Sequence, residues 1–419
     1  MNKTLLVHAS QLVTVSGTAA KCGKDMSDIG VIEDGAVLME DGRIRYAGPT
    51  KDLDLDQHSD ATVIDCTGKT VLPGFIDSHT HFVFGGYRPE EFSWRLSGVS
   101  YMDIMQRGGG INATTTSTRL ASEQTLTALG RKRLDDMLAY GVTTVEGKSG
   151  YGLDKDTELR QLRVMKTLNR EHTVDVVSTF MGAHAVPPEW KGQTDGYVDF
   201  ILRDVLPAVA EEGLAEFFDV FCEDGVFDVP QSRRLLHAAK ELGLKLKLHA
   251  DEIVPIGGTE LAAEFGAVSA DHLLHSSDAG ILALAKEGVV ATLLPATAFS
   301  LKEPYANARH MIDCGCCVAL ASDFNPGSCF THSIPLLIAL ATIQMNMSIE
   351  ETISSLTINS AAAVGRAGEI GSLDPGKKAD IIVLEYPDYH FLNYHFAMNI
   401  VEMVFKNGKI VHQKTSVNI

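Results

Sequence analysis

The sequence predicts a (β/α)8 barrel, an α/β fold of the TIM-barrel type, joined to a small composite β-sandwich domain built from both termini. Three observations predict it. Eight short apolar runs alternate with helix-like stretches through the middle of the chain, strand-and-turn patterns occupy its two ends, and most of the apolar runs finish in His, Asp, Glu or Lys. Alternating β and α segments with eight β runs are the pattern of a parallel barrel. We expect the composite domain at residues 1–67 and 366–419 and the barrel at 68–365.

The ends carry hairpin signals. GAVLMEDGRIRYAG alternates apolar and polar residues around Asp41-Gly42, and NIVEMVFKNGKIVHQ does so around Asn407-Gly408. Both dipeptides suit two-residue turns that need positive φ at each position. GKKADIIVLE adds a further strand at the far end. Two β segments around an α/β middle suggest one domain assembled from both, although periodicity does not show which strands meet.

The eight barrel candidates are KTVLPGFIDSHTH, GVTTVEGKSG, TVDVVSTFMGAH, EFFDVFCED, KLKLHADE, AVSADHLLH, GVVATLLPA and CVALASDFNPG. EQTLTALGRKRLDDMLAYG and VPQSRRLLHAAKELG read as helices between them, the second with Gly243 near its C-cap. A doubly wound open sheet is the structural rival, but no glycine-rich phosphate loop follows a first strand. GGG at 108–110 leads into IN and a Thr/Ser run, and reads as a flexible loop.

Composition narrows the function classes. With 419 residues, 45 % of them hydrophobic and 21 % charged, the chain has the material for a large globular core. Its 36 basic and 54 acidic side chains give a net charge of −18, which repels nucleic acid and anionic membrane and argues against both as partners. An anionic substrate would have to be met locally, by a metal or an Arg. MNKTLLVHASQLVTV has an apolar run broken by His8, Ser10 and Gln11, so it reads as a first strand and not a signal-peptide core. No run reaches the roughly 18 apolar residues of a membrane span, and a cytoplasmic location is expected. Seven cysteines do not suggest a disulfide framework, and Cys314, Cys316 and Cys317 read as buried strand-lead residues.

Chemistry gathers at the strand ends, where barrel active sites form. His79 and His81 are two apart, so on a strand both imidazoles face one side and can grip one metal. His249 ends KLKLH, and as a third imidazole it would complete a set suited to zinc or ferrous iron, though alone it fits a capped strand end. Asp323 follows CVALAS and offers a carboxylate, or else opens the turn at Asn325-Pro326-Gly327. His272 ends the next strand after His249, and is a fourth ligand, a supporting hydrogen-bond donor or a core His; we favour the support. His275 is a weaker candidate.

VLPGFIDSHTH, KLHADE, ADHLLH, LASDFNPG and DPGKKADIIVLE, in that order, resemble the amidohydrolase superfamily. HTHFVFGGYRPEEFSWRLSGVSY, EGKSGYGLD, FMGAHAVPPE, LHADE and SDFNPGS narrow the resemblance to the imidazolonepropionases, which convert 4-imidazolone-5-propanoate to N-formimino-L-glutamate in histidine degradation. The resemblance implies His79, His81, His249 and Asp323 as ligands of one divalent metal ion per subunit, zinc or iron. It implies substrate contacts at Arg88, Tyr101, Tyr151, His184, Glu252, Asn325, Gly327 and Ser328, and a homodimer. Lys148, in EGKSGYG, sits where binuclear relatives carry a carbamylated bridging lysine, but the family pattern has it in mononuclear sites too, so a structural or substrate-side role is expected.

A mechanism follows from these expectations. Water, activated by the metal, adds to the ring carbonyl, and the ring C–N bond breaks. Asp323 takes the water's proton and returns it to the departing nitrogen, His272 polarises the carbonyl, and Glu252 holds the ring nitrogens. Arg88 offers a planar fork for the propanoate carboxylate. Tyr151 sits in a flexible Gly-flanked loop, and His184 is placed to donate to ring or tail. The rivals are another mononuclear amidohydrolase, such as a heterocyclic amine deaminase, and a non-catalytic scaffold. The carboxylate clamp argues against the first and the complete ligand set against the second.

Overall fold

The computed structural model describes residues 3–99, 103, 107 and 109–414. Five N-terminal strands come first: β1 (Lys3–Val13), β2 (Val31–Glu40), β3 (Arg43–Pro49), β4 (Thr62–Asp65) and β5 (Thr70–Pro73). Eight barrel strands follow: β6 (Phe75–Asp77), β7 (Val142–Lys148), β8 (Asp175–Ala183), β9 (Phe217–Cys222), β10 (Lys245–Ala250), β11 (Ser269–His272), β12 (Val290–Leu293) and β13 (Cys317–Leu320). The chain ends with β14 (Ile381–Leu384), β15 (Val401–Lys406) and β16 (Lys409–Gln413).

The barrel strands pair in chain order from β6 to β13, all parallel, as the alternation predicts. Closure comes from the segments just beyond β6 and β13. The Asp323 amide donates to the His79 carbonyl at 3.0 Å and the His81 amide to the Phe324 carbonyl at 2.9 Å. One layer further down, the Ser322 amide donates to Asp77 Oδ1 at 3.0 Å. The two ends of the barrel sequence therefore meet at the level of the histidines.

The termini build one mixed sheet in the order β16-β15-β14-β5-β1-β2-β3, with β4 also on β1. Both hairpins form as the turn dipeptides predict: Asp41 and Gly42 have φ of 49° and 81°, and Asn407 and Gly408 of 49° and 71°. The sandwich expected there takes the form of this continuous sheet, and Leu6, Leu12, Val71, Ile381 and Phe405 pack within a core of their own. KTVLPGFIDSHTH divides in two: Thr70–Pro73 pairs with β14 and β1 in the terminal sheet, while Phe75–Asp77 enters the barrel. Gly74 marks the division, and a Cβ there would lie 2.5 Å from the Thr143 side chain. The larger core fills the barrel and takes in Leu72, Ile382 and Val404 from the other face of the terminal sheet; each fully buried side chain such as Phe75, Phe218 or Leu248 contributes about 1.5–3 kcal/mol.

Helices form where periodicity and caps agree. Glu123–Ala139 starts at Ser122, whose hydroxyl accepts the Thr125 amide at 3.1 Å. Val229–Glu241 starts with a reciprocal Asp228–Gln231 capping box, and Gly243 follows it at φ 83°. The Thr/Ser run after Gly109 and Gly110 forms a helix, Ile111–Leu120, because Thr114, Thr115 and Thr118 are buried on one face and Thr118 accepts the Gly85 amide at 3.0 Å. One expectation is corrected. Cys22 and Cys317 are joined as a disulfide across 295 residues, a pairing that no local spacing announces. Cys316 is a buried free thiol and Cys314 a half-buried one. Among the described residues no helix is long and apolar enough to cross a membrane.

Candidate active site

His79, His81, His249, His272 and Asp323 converge at the C-terminal end of the barrel, all nearly inaccessible to solvent. The His79 ring centre lies 4.5 Å from that of His249, 5.4 Å from His272 and 5.5 Å from His81. Asp323 Oδ1 stands 3.6 Å from His79 Nε2 and 3.8 Å from His81 Nε2. Candidate ligand atoms of His79, His81 and Asp323 all fall within 4.8 Å of one another, and so do those of His79, His249 and His272. His79 belongs to both groups. The geometry thus brings the four expected ligands together and sets His272 against them.

The donors fit a divalent cation. Nε2 of His79 and of His249 are buried with no hydrogen-bond partner, an arrangement that costs free energy unless something accepts their lone pairs. Their other ring nitrogens are occupied: His79 Nδ1 lies 2.7 Å from Asp271 Oδ2, and His249 Nδ1 lies 3.0 Å from Asp219 Oδ2. Burial, then nearby positive groups, holds His79, His81 and His249 well below the usual imidazole pKa, so all three are neutral and able to ligate. Thr297 donates to Asp323 Oδ2 at 2.7 Å, which leaves Oδ1 turned to the imidazoles. Burial lifts the Asp323 carboxyl to about 7, a cost that a dication would reverse.

Asp323 reaches this position through a left-handed backbone, φ 49°, and His272 through φ 75°. Such conformations cost non-glycine residues about 1–3 kcal/mol and cluster at functional sites. His272 Nδ1 is 3.4 Å from Glu252 Oε1, without hydrogen-bond geometry. Burial, then Asp323 and Glu223, raises the Glu252 carboxyl to about 8, so it is protonated and able to donate at neutral pH. Two buried carboxylates that sequence reasoning passed over shape the loop carrying it. Glu223 accepts the Ile253 amide at 2.8 Å and the Val254 amide at 3.2 Å. Asp251 accepts the amides of Ile256, Gly257, Gly258 and Thr259 at 3.0–3.1 Å.

A cavity of about 260 Å³ opens beside the His/Asp cluster, lined by Arg88, Glu91, Arg95, Val99, Ile111, Tyr151, His184, Leu301, Asn325, Gly327 and Ser328. A smaller one of about 60 Å³ is lined by His81, Tyr151, His184, Phe221, His249, Glu252, His272, Asp323, Asn325 and Ser328. Tyr151, His184, Asn325 and Ser328 line both, so the cavity at the His/Asp cluster and the cavity at Arg88 adjoin. Tyr101 lies outside the described residues.

Several roles differ from expectation. The Tyr151 loop is tied down and not flexible, because Glu158 accepts the amides of Gly150, Gly152 and Leu153 at 2.8–3.0 Å. Gly150 is required for close approach, since a Cβ would meet the Met181 carbonyl at 2.8 Å. His184 Nδ1 donates to the Gly150 carbonyl at 3.1 Å, and burial lowers its pKa to about 4. The neutral ring therefore presents Nε2 as an acceptor, and not as the donor expected from sequence. Asn325 is fully occupied within its loop: its amide nitrogen donates to the Asp323 carbonyl at 2.8 Å and Ser328 Oγ at 2.7 Å, and its oxygen accepts the Gly327 and Ser328 amides at 2.8 Å. It shapes the wall and leaves Ser328 free to donate.

Arg88 lies along the Pro326-Gly327 backbone, donating from Nε to the Pro326 carbonyl at 3.3 Å and from Nη1 to Glu91 at 3.1 Å. A Cβ on Gly327 would sit 1.7 Å from Arg88 Nη2. The glycine makes room for the guanidinium. Arg95, which sequence reasoning missed, lines the same cavity and donates to the Gly327 carbonyl at 3.3 Å and Ser300 Oγ at 3.0 Å.

Lys148 lies inside the barrel, its ammonium 2.7 Å from Asp219, 3.0 Å from Glu146 and 3.4 Å from Asp271. Burial alone would lower its pKa, but these carboxylates raise it above the ordinary lysine value. Carbamylation requires a neutral amine and would place an anion against three others. These ion pairs fit the structural role expected of Lys148 better than a bridging one.

A model of the amidohydrolase family matches residues 70–411. Imidazolonepropionase from Clostridium tetani is 60 % identical over 413 residues, with 98 % of each chain covered. Imidazolonepropionase from Parabacteroides distasonis is 61 % identical over 410 residues, covering 98 % of this chain and 99 % of its own. Among solved structures, an adenosine deaminase from Xanthomonas campestris with bound zinc aligns with a TM-score of 0.68 at 18 % identity, over 98 % of this chain and 92 % of that one. The guanine deaminase of E. coli aligns at 0.69 and 14 %, over 99 % and 100 %. These two likenesses concern the fold.

Proposed function

The chain belongs to the amidohydrolase family and, within it, to the imidazolonepropionases, and from that premise we propose how its residues open the substrate ring. The enzyme hydrolyses 4-imidazolone-5-propanoate to N-formimino-L-glutamate, a step of histidine degradation. The observation that carries the assignment of roles is the pair of adjoining cavities, one at the His/Asp cluster and one at Arg88, that share Tyr151, His184, Asn325 and Ser328. A ring in the first and a carboxylate in the second match the two ends of the substrate.

His79, His81, His249 and Asp323 are the residues we assign to the metal, zinc or ferrous iron. When bound, the cation supplies Lewis acidity and makes hydroxide available near neutral pH. Asp323, anchored by Thr297, accepts the attacking water's proton through its other oxygen and passes it to the ring nitrogen as the C–N bond breaks. The former ring carbonyl leaves as the product's new carboxylate. His272 stands where it can polarise that carbonyl. Glu252, protonated, and His184, accepting at Nε2, are complementary to an acceptor nitrogen and an N–H of the ring. Arg88, with Tyr151, Gly327 and Ser328, receives the propanoate, and Asn325 holds their loop.

The deaminase alternative is not favoured, since its substrates bring no carboxylate for Arg88. We place the protein in the cytoplasm and read it as a homodimer, both from the family resemblance. Residues 1–67 and 366–419 are proposed as one unit beside the barrel of 68–365.

The assignment is tested by following the ultraviolet absorbance of freshly generated imidazolonepropanoate. Loss of that absorbance with formiminoglutamate appearing is the expected result, and release of ammonia from heterocyclic amines instead would overturn it. Arg88→Ala should raise KM roughly 10- to 150-fold, because a charge-assisted contact contributes about 1.5–3 kcal/mol, while Arg88→Lys should raise it less. A wild-type KM in the Ala variant would place the propanoate elsewhere. Gly327→Ala should shift KM in the same direction by displacing Arg88, with kcat less affected, and an unaltered KM would show that the guanidinium does not need that space.

A further inference from the structure

Five charged groups are sealed beneath the metal cluster: Glu146, Asp219, Asp271, Lys148 and Lys247, each 0 % exposed. Burying so many charges is costly unless each is paired and hydrogen-bonded, and the reaction just described uses none of them. Their connections are directional. Lys148 Nζ contacts Oδ2 of Asp219 and Oδ2 of Asp271, and those same two oxygens face His249 Nδ1 at 3.0 Å and His79 Nδ1 at 2.7 Å. The second oxygens are tied as well: Asp219 Oδ1 accepts the His249 amide at 3.1 Å, and Asp271 Oδ1 accepts the Ser269 hydroxyl at 2.6 Å. Lys247 donates to Glu146 at 3.0 Å and to the carbonyls of Ser78 and Ala363, and its ammonium stands off from Asp271 Oδ2 at 4.0 Å, beyond hydrogen-bond reach.

We infer that Lys148 is a positioning residue, an ammonium hydrogen-bonded to both Asp219 and Asp271 so that they fix the tautomers and ring planes of two metal ligands at once. A carboxylate paired with an ammonium only accepts, so the proton of each imidazole sits on Nδ1 and the lone pair on Nε2. Those Nε2 atoms are buried and have no hydrogen-bond partner. Loss of the two Lys148 hydrogen bonds frees both carboxylates together, and so loosens two ligands from two different strands, β10 and the end of β6. The inference rests on the ligand assignment above.

The test measures metal affinity of the full chain by competition with a chromophoric chelator, with zinc as the probe, alongside kcat, KM and the melting temperature of the stripped protein. Lys148→Met should weaken zinc binding about 10- to 100-fold, the effect usual for groups that support ligands, and leave KM unchanged. Lys148→Arg, which restores the charge, should recover most of that loss. The Met variant strands buried anions, so the charge-balanced pair Lys148→Met/Asp219→Asn accompanies it; this pair keeps an acceptor for His249 yet still removes the Lys148 hydrogen bond from Asp271. A zinc affinity within error of wild type in a folded Met or paired variant overturns the inference, and so does a lowered melting temperature with unchanged affinity. Failure of the wild-type chain to bind zinc or ferrous iron at all would instead overturn the ligand assignment.

Discussion

Asp323→Asn is expected to lower kcat by about 10²–10⁴ while leaving KM comparatively unchanged. The amide keeps the shape, and its oxygen can still ligate, but it has no lone pair basic enough to take the water's proton. Position makes the residue sensitive. Its amide is hydrogen-bonded to the His79 carbonyl across the seam of the barrel, and one carboxylate oxygen is held by Thr297. The other is therefore the only oxygen free to serve both the ligands and the proton. A neutral ligand also binds a dication less tightly, so metal content must be measured on the same sample. An Asn variant with stoichiometric metal and near-normal kcat would make Asp323 a ligand alone. The proton would then travel through Glu252 or His272.

Stripping the metal with a strong chelator should abolish turnover, and zinc or ferrous iron should restore it. The buried, neutral imidazoles of His79, His81 and His249 provide no comparable nucleophile-activating group without the cation. Metal binding should also raise the melting temperature, because a ligand that binds only the folded chain stabilises it by mass action. Full turnover by a preparation shown to be free of metal would sink this prediction. Restoration by both ions would agree with a site of three imidazoles and one carboxylate, which accommodates either.

Much of this protein was legible in local pattern. The eight barrel strands were visible because each is a short apolar run closed by a turn, and the two hairpins because Asp41-Gly42 and Asn407-Gly408 tolerate the positive φ that their turns require. The histidines stood out because imidazoles at the ends of buried strands are chemically conspicuous, and the family resemblance linked them. The Thr/Ser helix was not visible, since Thr has weak helix propensity and only burial of Thr114, Thr115 and Thr118 against the barrel selects the conformation. The Cys22–Cys317 bond was equally hidden, as its partners are distant in the chain.

What the sequence by itself determined is the barrel, the hairpins, and the histidines and Asp323 that converge at the barrel's C-terminal end. What only the tertiary structure decided is how those groups are held: Glu158 fastening the Tyr151 loop, Glu223 and Asp251 shaping the loop of Glu252, Gly327 admitting Arg88, and His184 turned to accept. The reason is physical. Strand and turn preferences act over a few residues and leave a periodic trace. A hydrogen bond between a buried carboxylate and a distant amide or ammonium depends on positions fixed by the whole barrel, as with Lys148 and Asp271, 123 residues apart, and leaves no trace in local spacing.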